Sequence, residues 1–146
     1  MVALALARVS VGWIFVQTGW GKLSDLGPVV DFFRELGIPY PELQAPFVAS
    51  VELVCGALLC IGLLSRIAAL PLIGTMVVAI ATAQWANVDS LGALLSLDEF
   101  LYIVVFAWIA ASGPGAVAVD PVLARLLGIE DSREPSAAPA AARHYA

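Results

Sequence analysis

The chain has 146 residues, of which 61% are hydrophobic and 13% charged, and its mean hydropathy is strongly positive. Soluble domains carry about 45–50% apolar and about 25% charged residues, and a single core at this length cannot hide the excess, whereas lipid can. Seven Lys and Arg against twelve Asp and Glu exclude the basic footprint that nucleic acid requires.

In chain order, apolar stretches occupy residues 2–21, 46–64, 67–86 and 99–112. The first three approach the roughly 20 residues that a helix needs to cross the hydrocarbon core. Residues 91–97 can lengthen the fourth. The first stretch lacks a basic leader and a small-residue cleavage site and holds Arg8 internally, so it reads as a retained span.

Between the first two spans, Val29, Val30, Phe32, Phe33 and Leu36 share one side of a helical wheel. Asp31, Arg34 and Glu35 share the other, the pattern of a short helix in the membrane interface. Pro28 suits its first turn and Gly37 its end. The sequence Ile38-Pro39-Tyr40-Pro41 reads as a stiff extended loop, because each proline pushes its predecessor out of helical geometry. After the fourth stretch, Gly113-Pro114-Gly115 breaks the chain, and Asp120-Pro121 opens a short amphipathic segment reaching Leu127. The expected fold is all-α, a four-transmembrane-helix bundle with these two short helices over residues 1–128. Residues 129–146, rich in Ala, Pro and charge, form a disordered tail.

An even number of spans puts both termini on one side. Arg8, Arg66, Arg125, Arg133 and Arg143 collect there, against Lys22 and Arg34 opposite, so both termini are expected in the cytoplasm.

Polar groups inside the spans carry the functional argument, since ionisable side chains in lipid are costly and usually face the bundle interior. Arg8, Gly12, Phe15, Gly19 and Lys22 share one face of the first span, and Glu52, Gly56 and Leu59 one face of the second. Their glycines let helices approach closely. Gln17 and Lys22 lie near the outer end of the first span, Gln84 near that of the third, and Glu99 at that of the fourth. Glu52 lies about 9 Å below the start of the second at a rise of about 1.5 Å per residue. These five are expected to converge at one depth. Arg8 lies inside the opposite end of the first span, where Asp120 is expected to supply it a carboxylate.

Structural alternatives stand beside each of these. Lys22 can snorkel to the interface, Glu52 can form a structural salt bridge with Lys22 or Arg8, and Asp120 can serve only as a cap. Trp20, Trp85 and Tyr40 suit an aromatic belt. Cys55 and Cys60 point roughly 140° apart on a helix, too divergent for a disulfide, and read as packing residues.

The order of these motifs resembles the DoxX family. The resemblance rests on Arg8-Val9-Ser10-Val11-Gly12-Trp13-Ile14-Phe15, Gly19 and Gly21-Lys22-Leu23, then Gly37-Ile38-Pro39 and Pro41. Val51-Glu52-Leu53, Gly56, the run Gly62-Leu63-Leu64-Ser65-Arg66-Ile67-Ala68-Ala69, Glu99, Gly113-Pro114-Gly115 and Val119-Asp120 continue it. The resemblance implies a four-helix protein of the bacterial inner membrane. The family takes its name from a subunit of a terminal quinol oxidase, and many relatives are described only as membrane oxidoreductases or partners of redox proteins. A quinone-contacting or accessory subunit of a membrane redox system is therefore expected, with Glu52 as acceptor and Lys22 or Gln17 as donors to a bound quinone. No metal or haem-ligand pattern is visible, since His144 is the only histidine and lies in the tail. Electrons are then exchanged with a bound quinone or a partner protein. Expected partners are membrane lipid and a larger membrane complex or a second copy. A non-catalytic scaffold is the alternative. A transporter is less favoured, because four spans without an inverted repeat make a poor permease.

Overall fold

A computed structural model describes residues 2–112, and among them every regular element is helical. α1 (Val2–Ser24) runs unbroken for 23 residues. The amphipathic α2 (Leu26–Glu35) follows after a break at Asp25. α3 (Pro41–Ile61) is antiparallel to α1. α4 (Ser65–Ala79) is prolonged by a π-helical turn, Ile80–Gln84, and a 3-10 turn, Trp85–Asn87. α5 (Leu91–Leu95) is a single turn, and α6 (Asp98–Ser112) packs along α4. α1, α3 and the continuous segment Ser65–Asn87 are each long and apolar enough to cross a membrane. α6 contributes 15 described residues, about 22 Å at the α-helical rise.

Local chemistry explains where the elements begin and end. Pro41 sits in the first turn of α3, where its missing N–H costs nothing. Tyr40 adopts left-handed geometry (φ 52°) instead of the extended conformation that the flanking prolines led us to expect. Its carbonyl accepts from the backbone N–H groups of Leu43 and Gln44, both at 3.0 Å, and this closed turn replaces the extended loop. At the other end, Gly62 (φ 79°) closes α3 with paired bonds, Gly62 N to Leu59 O at 3.2 Å and Leu63 N to Leu58 O at 3.0 Å. This cap needs the left-handed geometry that glycine adopts without strain. α3 thus starts at Pro41 rather than Pro46, and Glu52 lies about 16 Å along it rather than about 9 Å, near its middle. Residues 91–97 do not lengthen α6. The Ser90 hydroxyl accepts from Ala93 N at 3.1 Å and starts α5, which stops before α6 begins.

The α1–α3 seam sets the architecture. A Cβ on Gly19 would lie 2.5 Å from Leu53 N, and one on Gly12 would lie 2.8 Å from Gly56 O. Two backbones can run this close only where side chains are absent, the usual device of helices packing in lipid. Below the seam's charged end, Phe15 meets Phe106 and Tyr102 edge-on at 5.1 and 5.3 Å between ring centres. Leu59, Leu72, Met76 and Ile109 complete the core. The opposite faces present exposed Leu6, Trp13, Phe47, Val54, Leu70 and Val77. A band this apolar is the surface expected against lipid tails.

Candidate functional site: an ion pair in the wall of a cavity

Lys22 and Glu52 meet across the α1–α3 seam. Lys22 Nζ donates to Glu52 Oε1 at 2.7 Å and to Oε2 at 2.8 Å. Glu52 is 2% exposed, whereas the Lys22 side chain is 29% exposed. Helical side chains lean toward their own N-terminus, and the two helices are antiparallel. Lys22 therefore reaches down from the end of α1 while Glu52 leans up from the middle of α3, and the charges meet between the two levels.

Both residues line a cavity of about 880 Å³. Phe15, Met76 and Tyr102 contribute to its wall beside the core, and Val29, Phe32 and Phe33 of α2, with Leu36 just after it, line it from another side. Thr18, Thr75, Thr82, Gln44, Asp98 and Glu99 are its other polar side chains. The three threonine hydroxyls donate to carbonyls of their own helices, Ile14, Leu72 and Val78 respectively, which leaves their oxygens as acceptors. Sequence reading missed the threonines, Gln44 and Tyr102. It recognised α2 as amphipathic but not that its apolar side lines a cavity, because periodicity identifies a face and not what the face covers.

A second polar contact joins α4 to α6. Gln84, the last residue of the π-helical turn, donates from Nε2 to Glu99 Oε1 at 3.3 Å and accepts from Asn87 Nδ2 at 3.1 Å. At the other end of this hairpin, Arg66 donates to the Ala111 carbonyl at 3.3 Å. Gln17 does not join the cluster. It is exposed and stands about 200° around α1 from the buried Phe15 at roughly 100° per residue. The five expected polar residues thus form two pairs, Lys22 with Glu52 and Gln84 with Glu99, and Gln17 is excluded. Three of the five, Lys22, Glu52 and Glu99, line the cavity.

Arg8 is buried at the far end of α1, 2% exposed. Asp120, its expected partner, lies outside the described residues, as do the amphipathic segment after the fourth stretch and the tail. Trp20, Trp85 and Tyr40 are 66%, 69% and 75% exposed near the end of the bundle that holds the cavity, as an aromatic belt requires. Cys55 and Cys60 are both free thiols, and Cys60 contacts the Val9 carbonyl at 3.7 Å.

These features define a small helical membrane protein whose buried ion pair forms part of a cavity wall. The chain belongs to the DoxX family, whose profile matches residues 3–85. It is 32% identical to "Uncharacterized membrane protein Rv3486" of Mycobacterium tuberculosis, over 81% of this chain and 79% of that protein. It is 30% identical to a Bacillus subtilis protein named "Putative oxidoreductase CatD", over 82% of this chain and 86% of that one. It is 24% identical to "Inner membrane protein YqjF" of Escherichia coli, over 84% and 92% of the two chains. No solved structure matches it.

Proposed function

We propose that the protein is a quinone-contacting accessory component of a membrane redox system, and that the cavity beside Lys22 and Glu52 holds the quinone head. The observation that carries this reading is the placement of the bidentate Lys22–Glu52 pair in an otherwise largely apolar wall. Attraction within a buried ion pair is offset by the desolvation of its members, so stability alone is a weak reason to keep one mid-span. A cavity of about 880 Å³ falls within the roughly 300–1,000 Å³ of small-molecule sites. The oxidoreductase name borne by the Bacillus relative points the same way.

A bound quinone supplies two-electron, two-proton chemistry at its head. The chain's part is to hold that head and to handle protons. Lys22 Nζ carries three N–H donors, of which two serve Glu52, and the third is available to a head-group oxygen. Glu52 keeps lone pairs that can accept from a hydroxyl. Because Lys22 is partly exposed and Glu52 is not, a proton leaves Glu52 for the surface once the Lys22 ammonium has released one of its own to water and its amine can accept the next. Electrons pass to or from a partner membrane complex. The same reading places the protein in a bacterial inner membrane, with α6 as the fourth crossing and both termini in the cytoplasm, Arg8 and Arg66 on that side.

Purification in a mild detergent, followed by lipid extraction and chromatography, tests the quinone. We expect near-stoichiometric quinone with the parent protein and much less with Glu52→Gln. A parent that carries no quinone and takes up none on addition contradicts the reading. Orientation is tested in intact cells by an impermeant thiol reagent, after Cys55 and Cys60 are replaced. Single cysteines belong at the exposed Leu64 and Asp89, because Ser65 is fully buried. Labelling at Asp89 alone is expected, and labelling at Leu64 alone inverts the topology.

A further inference from the structure

We infer that the cavity sorts its occupants by head-group charge, admitting amphiphiles with neutral or cationic heads and turning away anionic ones; this rests on the reading of the cavity as an amphiphile site. Among the described residues its charged lining consists of one cation, Lys22, and three carboxylates, Glu52, Asp98 and Glu99. The single cation is already engaged, with both oxygens of Glu52 within 2.8 Å of Nζ. An anionic head therefore meets no uncommitted positive charge. It meets instead two further carboxylates, from the first turn of α6, in surroundings where apolar walls weaken screening.

The second pole is built as deliberately as the first. The π-helical turn at Ile80–Gln84 carries Gln84 to Glu99, so one carboxylate oxygen is held by an amide and the other remains open. π-turns inserted in α-helices often mark functional positions. Glu99 is thereby fixed as an acceptor in the cavity wall, and Gln84, which is not itself part of the lining, acts as a positioning residue. The pairing at the first pole makes a sharp statement about Glu52. Its charge is what neutralises Lys22, so removing that charge while keeping the shape frees an ammonium toward the cavity. The same substitution that weakens a neutral occupant's contact then opens the site to anions.

The experiment uses three amphiphiles with one tail and fixed head charge: dodecyltrimethylammonium, dodecanol and dodecyl sulfate. Binding of trace radiolabelled probe is measured to the full chain in phosphatidylcholine nanodiscs, with empty nanodiscs subtracted. The parent should bind the cation and the alcohol saturably and the sulfate at least about tenfold more weakly, the size of effect expected from one charge-assisted contact. Glu52→Gln should raise sulfate affinity about tenfold and leave the cation no tighter than before. Glu99→Gln, which leaves the α1–α3 seam untouched, should weaken the cation alone and keeps the test open if Glu52→Gln does not fold. Sulfate bound as tightly as dodecanol by the parent overturns the inference, as does a folded Glu52→Gln with unchanged head preference. Saturable but head-blind binding sinks charge selection while sparing the cavity as a site. No saturable binding of any probe sinks both.

Discussion

Two carboxylate–cation clusters in this protein have nearly the same donor–acceptor distances and opposite surroundings. In α2, Arg34 donates to Asp31 at 2.6 Å and to Glu42 of α3 at 2.8 Å, with all three side chains more than half exposed. In the seam, Lys22 donates to Glu52 at 2.7 and 2.8 Å, with the carboxylate 2% exposed. Distance alone does not separate them, and burial does. The Glu42 carboxylate holds the Arg34 guanidinium above its ordinary pKa through their hydrogen bond, with Asp31 adding to it, yet water and salt screen the cluster. In the seam, Glu52 depends on Lys22, because a carboxylate this buried has little access to water that could take the ammonium's place.

The comparison is broken or sharpened most strongly at Glu52. Glu52→Ala strands the Lys22 ammonium and should cost about 3–5 kcal/mol, read as a large drop in the melting temperature in detergent. Replacing both Lys22 and Glu52 by Met should recover much of that loss, since neither charge is stranded. Glu52→Ala as stable as the parent would show that the two charges are not coupled. Next comes the seam that delivers the pair. Gly19→Ala forces a Cβ to 2.5 Å from Leu53 N and should cost about 1–3 kcal/mol as the backbones part. Glu52 should then also become more accessible to carbodiimide modification.

Gln84→Ala removes one hydrogen bond to Glu99 and should cost about 0.5–1.5 kcal/mol. It should also lower affinity for the cationic probe by loosening Glu99. The smallest effect is expected from Arg34→Ala. Its melting temperature should stay within experimental scatter of the parent's, and raising the salt concentration should not widen the gap. A loss there comparable to that of Glu52→Ala would remove burial as the distinguishing variable.

Much of this arrangement can be read in the sequence because it rests on periodicity. Glycines and charges at heptad-like spacing on α1 predict the face that meets α3, and helical leaning then predicts which charges can touch. Glu52's position along the helix is not legible, because apolarity alone starts the span at Pro46, a proline inside the helix, when Pro41 in the first turn is the true start. A proline reads alike in both places until the left-handed Tyr40 turn before it is seen. Height along the axis groups Gln17 with Lys22, but the angle around it sets them apart. The cavity itself leaves no linear signature, for it is assembled from α1, α2, α3, α4 and α6, and the π-turn that carries Gln84 to Glu99 has no local sequence mark.

Binding of a short-chain quinone to the purified protein in nanodiscs, compared between the parent, Glu52→Gln and Gly74→Leu, tests the central claim most directly. Gly74 lines the cavity, and a Cβ there meets nothing within 4 Å. Leucine at this position should intrude on the cavity without straining the fold, and favours the helix by about 0.8 kcal/mol relative to glycine. The parent should bind saturably, and both variants at least about tenfold more weakly, a loss of about 1.4 kcal/mol, with Gly74→Leu melting no lower than the parent. Parent-like binding by both folded variants would place the quinone elsewhere and contradict the account.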